Sequence, residues 1–328
     1  MIQSVTGGKA EIAAYRSRKL DFVISDKLEA TFGSKPEEHY GLTTFDSMEA
    51  ALAWKPDAVF VTNPISMHVA TALAAAGAGC HVFIEKPLSH SYANVAALMK
   101  LVQDKQLTCM VGYQQRYHPG YIKIRELIGN GSLGRLTSAD LHFGEWLPGM
   151  HPYEDYRESH AARKEQGGGV ILCLSHEIDM AYWLFGRPHR VSAMGGHLSD
   201  LELDVEDTAD ILMYCQHAGR DFPVHIHLDF LQKPARRYIH VVGEKGSAVF
   251  DYRANRLEIH LLSAVEPEVI LFDQFQRNDT FLQEVRDFIE SAENGVTPPI
   301  PLKEGVAVLE ICLAAKKSLE SGVAEELS

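Results

Sequence analysis

The sequence predicts an α/β protein in two parts, a parallel sheet crossed by helices followed by a domain with a large, mainly antiparallel open sheet. Two observations lead there. Up to about residue 115, short apolar runs alternate with helical patterns, as DAVFVTNP, CHVFIEKP and LTCMVGYQQR do at 57–64, 80–87 and 107–116; such runs are too apolar to alternate, as strands covered on both faces are. Beyond about residue 120 the runs become long and alternating and are joined by turns, the pattern of antiparallel strands with one solvated face. The boundary falls near Gly112 to Pro119, dividing the chain into 1–115 and 116–328.

In order, AEIAAY (10–15) reads as a strand and the basic RSRK follows its carboxyl end. KLEATFGS (27–34) and DSMEAALAW (46–54) read as helices, the second started by Asp46 or Ser47 as N-cap with Glu49 close behind. Then come strand 57–64, helix 65–78, strand 80–87, helix 91–106 and strand 107–116. Strands and helices at this spacing imply right-handed crossovers and a parallel sheet. In the second half LTSADLHFGEW, HRVSAMGGHL, TADILMYCQH, DFPVHIHLDF, RRYIHVV, SAVFDY and NRLEIHLL read as strands, with GEKG as a hairpin turn. YIKIRELIGNG, the stretch after Gly167-Gly168-Gly169 and TFLQEVRDFIESAEN read as helices.

At 328 residues, two domains each able to bury a core are expected. Thirty-one Lys and Arg against 44 Asp and Glu, a net charge of -13, oppose non-specific binding to nucleic acid or anionic lipid. No apolar run reaches the roughly 18–20 residues of a membrane span, and MIQSVTGGKAE lacks the form of a secretion signal. Cytoplasm is the expected location. Cys80, Cys109, Cys173, Cys215 and Cys312 stand singly and read as buried thiols. His225 and His227 share a strand face, a pair of metal-ligand type, but no third ligand has suitable spacing in sequence, and no metal is expected.

Ligands of open parallel sheets bind at the carboxyl ends of the strands. Three segments put polar residues there: Thr62-Asn63-Pro64 with His68, Glu85-Lys86-Pro87, and Tyr113-Gln114-Gln115-Arg116. A lysine in a partly dry cleft has its charged form disfavoured, which lowers its pKa from about 10.4 toward a value useful for proton transfer. His176 and Asp179 share a helix face, and an imidazole titrating near pH 6.5 can accept a hydroxyl proton. In HPYEDYRESH, Tyr153, Tyr156 and Arg157 are donors able to line a pocket.

Residues 46–89, then MVGYQQRYHP, GGGVILCLSHEIDMAYWLFG and PPIPLKEGVAVLEICLAAKKSLESG resemble the glucose-fructose oxidoreductase, inositol dehydrogenase and rhizopine catabolism (Gfo/Idh/MocA) family, in order along nearly the whole chain. The resemblance implies a Rossmann-type domain carrying NAD or NADP, and a second domain whose open sheet pairs subunits into a homo-dimer or homo-tetramer. It implies hydride transfer to or from a carbinol carbon of a sugar or cyclic polyol. By position it assigns Lys86 to proton transfer, His176 to acid/base work, and Asp179 to the acidic residue one turn on. It places Thr62, Asn63, Pro64, His68, Glu85 and Gln115 beside the cofactor, and Arg116 and Cys173 with Tyr153, Tyr156 and Arg157 on the substrate side.

Two departures accompany the resemblance. Cys173 stands where the family helix usually has aspartate, and a thiol cannot replace a carboxylate at neutral pH. No GxGxxG occurs; MIQSVTGG matches the tail of the helix that follows that loop, so the first domain reads as truncated, lacking one central strand, its turn and most of a helix. Such a loss should leave a gap in the sheet or bring its two neighbours together. Arg16, Ser17 and Arg18 follow the strand whose end holds the ribose, and arginine forks suit a 2′-phosphate, which favours NADP. The alternatives are a non-catalytic sugar-binding or subunit-interaction protein, and a start assigned too far downstream.

Overall fold

Short apolar runs closed by glycine or proline build the first sheet. The computed structural model describes residues 1–15, 21–25 and 29–327. Its first part contains α1 (Ile2–Val5), β1 (Ala13–Tyr15), β2 (Phe22–Ile24), β3 (Ala30–Phe32), α2 (Pro36–Tyr40), β4 (Thr43–Phe45), α3 (Met48–Ala53), β5 (Ala58–Val61), α4 (His68–Gly77), β6 (His81–Glu85), α5 (Val95–Asp104) and β7 (Cys109–Gly112). The N-cap of α3 is Ser47, whose hydroxyl accepts the Ala50 N–H at 3.1 Å, satisfying a helix-start donor. The helix expected over 27–34 is not formed: Ala30–Phe32 pairs antiparallel with Phe22–Ile24. Phe32 packs on Phe22 at 5.4 Å between ring centroids, a cross-strand contact that outweighs helical patterning in so short a stretch.

β5, β6 and β7 pair in parallel in that order, whereas β1 pairs in parallel with β4. Among the described residues no ladder joins β1 to β5, so the parallel sheet lies in two pieces. A gap separates the two pieces. A cavity of about 1710 Å³ occupies it, walled by Ala13, Ala14 and Tyr15 on one side and by Ala58 to Val61 on the other.

The second part contains α6 (Pro119–Gly129), β8 (Leu136–Gly144), α7 (Leu147–Met150), α8 (Val170–Cys173), α9 (His176–Phe185), β9 (Arg190–Gly196), β10 (Thr208–His217), β11 (Arg220–Asp229), β12 (Arg236–Gly243), β13 (Gly246–Asp251), β14 (Arg256–Leu261), β15 (Glu268–Leu271), α10 (Arg277–Asn294), α11 (Leu302–Ser321) and β16 (Glu325–Glu326). Nine strands form one sheet in the order β15-β14-β13-β12-β8-β11-β10-β9-β16. Every pair is antiparallel except β8 with β11. The β12–β13 hairpin turns at Gly243 to Gly246, as the GEKG turn requires. Alternation buries Ala139, Leu141, Val224, Ile226 and Leu228, on the face that receives α8 and α9; Asp140, His142, His225 and His227 point the other way.

The last helices return to the first sheet. Phe288 of α10 meets Phe60 and Phe83 edge-on, with centroids 5.2 and 5.6 Å away. The Val111 N–H donates to the Ile300 carbonyl at 3.1 Å. A Cβ on Gly305 of α11 would lie 2.5 Å from Val111 Cγ2, so that helix approaches β7 closely because it carries glycine there. The buried apolar side chains of both parts form one connected core, from Val61 to Ala315.

Candidate active site

The carboxyl ends of β5 and β6 meet α8 and α9 beside the cavity. Strand β6 ends at Glu85, and the Lys86–Pro87 peptide is cis. The Lys86 ammonium donates to the Cys173 carbonyl at 2.6 Å. Burial depresses its pKa, against the pull of Cys173 and Glu85. Glu85 is pushed the opposite way, its carboxyl raised by burial despite Lys86. His68, fully buried, bridges the carbonyls of Pro87 and Asn63 through Nδ1 and Nε2, at 2.9 and 2.8 Å. It thereby fixes the turn after β5 against the turn after β6. Thr62, Asn63, Pro64, His68, Glu85 and Lys86 all line the cavity.

Glycines place the second half of the site. Gly168 passes so close to the 160–161 backbone that a Cβ would stand 2.6 Å from two carbonyl oxygens, and Gly169, at φ +100°, lies against the Glu206 carboxylate. The three glycines thus serve internal packing that starts α8. Glu206 is held in turn by Lys316, 2.8 Å away. Cys173 is buried and its thiol is pushed up to about 12 by desolvation; it is the carbonyl of this residue, not its side chain, that serves Lys86.

His176 opens α9, is 7% exposed and packs edge-on against Tyr113 at 5.9 Å. Its Nδ1 is buried without a hydrogen-bond partner among the described residues. Burial, and then the positive charges of Lys86, Arg237 and Arg277, hold its pKa well below the usual value. It is therefore a neutral base.

Asp179 and Arg116 occupy each other. The guanidinium Nη2 lies 2.6 Å from Asp179 Oδ1, Nε lies 3.1 Å from Oδ2, and Nη1 reaches Glu304 at 3.2 Å. Asp179 has no exposed surface, and neither partner lines the cavity. The structure brings Asp179 and Arg116 together as a buried pair that ties α9 to the segment after β7; like His176 at the start of that helix, they stand behind the residues that line the cavity. Burial pushes the Asp179 carboxyl up to about 6 although Arg116 pulls it down. Gln115 is buried too, its amide donating to the Tyr252 hydroxyl at 3.5 Å.

The loop between α7 and α8 carries the other candidates. Arg157 is bound to Asp155 at 2.7 Å and to Glu202 at 3.2 Å on the surface. The Tyr156 hydroxyl accepts the Glu202 N–H at 3.1 Å, and Tyr153 stacks on His151 and packs on Phe22. None of these three lines the cavity; His160 does. Its pKa falls to about 4 through burial and then the charge of Lys86. Sequence reading also missed the buried pair Glu177–Arg237, 2.6 Å apart. Strand alternation contained that signal, since Arg237 shares its face with Ile239 and Val241.

Whether a nicotinamide dinucleotide suits this cavity can be tested on the residues present. At one end Asn63 donates to Thr71 at 2.8 Å, which leaves its Oδ1 buried and without a partner among the described residues; a carboxamide N–H would satisfy it. That end fits. For the pyrophosphate, no glycine-rich helix start faces the cavity among the described residues. Gly7 and Gly8, at φ +62° and +77°, follow the end of α1, where carbonyls rather than N–H groups are left over. Arg16, Ser17 and Arg18 lie outside the described residues; Tyr15, just before them, lines the cavity.

A parallel α/β sheet whose strand ends present lysine and histidine to a cavity, joined to a large open sheet, is the architecture of an α/β protein that binds its ligand at the strand ends. Residues 8–113 match the oxidoreductase family with an NAD-binding Rossmann fold, and residues 121–249 match the Gfo/Idh/MocA C-terminal domain. The chain belongs to the Gfo/Idh/MocA family. It is 27% identical over 340 residues to D-xylose 1-dehydrogenase (NADP(+)) 2 of Haloferax volcanii, covering 100% of this chain and 95% of that one. It is 28% identical to the myo-inositol 2-dehydrogenase of Thermotoga maritima, covering 80% and 78%. Its fold matches the WlbA dehydrogenase of Bordetella pertussis, solved with NADH and UDP-GlcNAcA, at a TM-score of 0.77 and 22% identity over 89% of this chain and 86% of that one.

Proposed function

We propose that this chain is an NAD(P)-dependent oxidoreductase that moves hydride to or from a carbinol carbon of a sugar or cyclic polyol. The observation that carries the reading is Lys86, a half-buried amine with a depressed pKa at a strand end, lining the same cavity as the unpartnered Asn63 oxygen. A bound nicotinamide would supply the hydride acceptor or donor. The chain's own residues do the rest. Lys86 Nζ, in its neutral form, takes the hydroxyl proton as the carbinol carbon is oxidised, and returns it in the reverse direction. His176, neutral and with a free Nδ1, receives a substrate hydroxyl or relays that proton; its base form is secured by burial and then by the neighbouring positive charge of Arg237. Asp179 and Arg116 hold the helix under His176. The basic stretch Arg16-Ser17-Arg18 favours NADP over NAD, relatives of the family support a small-molecule sugar or polyol as partner, and the uncovered face of the nine-stranded sheet supports pairing of subunits. Five unpaired, buried cysteines accord with the cytoplasm.

The split sheet favours a second reading, in which the chain binds a sugar without redox chemistry. Titrating the full chain with NADPH and NADH, followed by nicotinamide fluorescence, separates the two. Saturable binding, with turnover of a sugar panel reduced at least 100-fold by Lys86→Met, supports the oxidoreductase. Absence of saturable nicotinamide binding alongside saturable sugar binding overturns it in favour of the second reading.

A further inference from the structure

The outer face of the nine-stranded sheet carries imidazoles and carboxylates that the site around Lys86 does not use. In sequence they are a bare His-x-His. The register supplies what linear spacing lacks: His227 on β11 stands opposite His142 on β8 and opposite Asp210 on β10. The rings of Tyr238, His142 and His227 stack across three strands, at 5.1 Å and 9°, then 4.7 Å and 20°. One ligand atom each from His142, His227 and Asp229 falls within 4.8 Å of the others. His227 Nε2 and Asp229 Oδ2 are 2.9 Å apart. The Gln232 side-chain amide reaches His142 Nε2 at 2.7 Å and also touches Asp229 Oδ2; turning that amide brings its carbonyl oxygen to the same point. Gln232 and Asp229 close in there because residue 144 is glycine: a Cβ on Gly144 would strike both side chains.

We propose that His142, His227, Asp229 and the Gln232 carbonyl oxygen bind one divalent transition-metal ion of the zinc class. Two imidazoles, one carboxylate and one amide oxygen suit a borderline ion; calcium or magnesium would demand more oxygens. Bonds of about 2.0–2.1 Å in a tetrahedron put ligand atoms about 3.4 Å apart, so on binding the widest separation shrinks by at most about 1.4 Å, the 2.9 Å contact of His227 with Asp229 opens slightly, and the His142 ring turns out of its stack so that both ring planes contain the ion. The ion takes the place of the hydrogen between His227 and Asp229. Behind it, His227 Nδ1 donates to Asp210 at 2.8 Å, which fixes the ring with Nε2 toward the ion, as outer partners of metal-bound histidine do. Asp210 is braced by His225 Nε2 at 2.9 Å, whose Nδ1 meets Asp140 at 2.7 Å, and Asp140 accepts the Tyr238 hydroxyl at 2.8 Å. The ion is structural. It ties β8 to the segment after β11, where the carbonyls of Gln232 and Phe230 accept the N–H groups of Trp146 and Leu147 at 2.9 and 3.0 Å.

The test uses the full chain freed of metal with a chelator and dialysed. Calorimetric titration with Zn²⁺ is expected to give one ion per chain, and Co²⁺ the intense visible absorption of four-coordinate cobalt. His142→Asn and His227→Leu should each weaken Zn²⁺ binding at least 100-fold and abolish that absorption. Gln232→Leu should weaken it about tenfold, and His260→Gln on β14 should leave it unchanged. His142→Asn keeps a polar side chain of smaller size, so the proposal stays testable should His227→Leu fail to fold. Fewer than one ion per chain, the weak spectrum of six-coordinate cobalt, or equal binding by His142→Asn would overturn it.

Discussion

Replacing Arg116 by methionine tests the claim that the Arg116–Asp179 pair holds α9 in place. The substitution keeps the length and apolar stem but strands the Asp179 carboxylate, which has no exposed surface. Glu304, a quarter exposed, can hydrate; Asp179 cannot. Removing one partner of a buried pair costs about 3–5 kcal/mol. Part of that is linkage. With Arg116 present the Asp179 carboxyl sits at about 6 and is mostly ionised at pH 7; without it the pKa rises above 7 and the group takes up a proton. That contribution is about 1.4 kcal/mol for each pH unit between 6 and the working pH. At pH 5 the carboxyl is already protonated in both proteins, so the contribution vanishes. Urea unfolding at pH 7 and pH 5 should therefore show a deficit of about 3–5 kcal/mol that shrinks by about 1.4 kcal/mol at the lower pH. Arg116→Met with Asp179→Leu should regain most of the loss. A deficit independent of pH, or a double variant no better than the single, would refute the reasoning.

Two further outcomes follow from the packing. His118, fully buried, is held at about 4 against an ordinary 6.5 by desolvation, and His160 likewise. Their folded-state pKa values lie below the unfolded ones, so stability is full above about pH 6.5 and is lost as pH falls toward 4, by about 3 kcal/mol for His118; Asp179, raised to about 6, offsets part of this. Because its Nδ1 caps α6 by accepting the Gly120 N–H, His118→Asn keeps a cap while removing the titration, and its urea midpoint should fall less steeply over that window; an equal slope counts against it. Gly305→Ala, which in an exposed helix would stabilise by about 1 kcal/mol, should here lower the melting temperature, since its Cβ meets Val111 at 2.5 Å. A rise would show that α11 has room to shift.

What the chain revealed before folding depended on how local the determinant was. The parallel strands β5, β6 and β7 are legible because each carries its own apolar run and its own terminator, and Ser47 is legible as a cap because it bonds three residues away. Lys86 and His176 stand out because a strand end and a helix start announce themselves in a few letters. Phe32 does not: its strand exists through Phe22, ten residues earlier in the chain. The Arg116–Asp179 contact spans 63 residues and Lys86 to Cys173 spans 87, and nothing in linear spacing distinguishes a charge that faces substrate from one that faces another charge. The same blindness hid His142 and Asp229 from the His225–His227 pair, since the sheet register decides which strands become neighbours.

The wedge of Phe288 between Phe60 and Phe83, and the bond from Val111 to Ile300, set an order of assembly. During synthesis the parallel sheet emerges first but has no roof until some 170 more residues have followed β7. Its apolar face must wait, exposed or loosely covered, for the final helices. The first sheet is thus completed by contacts from far along the chain, and such long sequence separations slow folding.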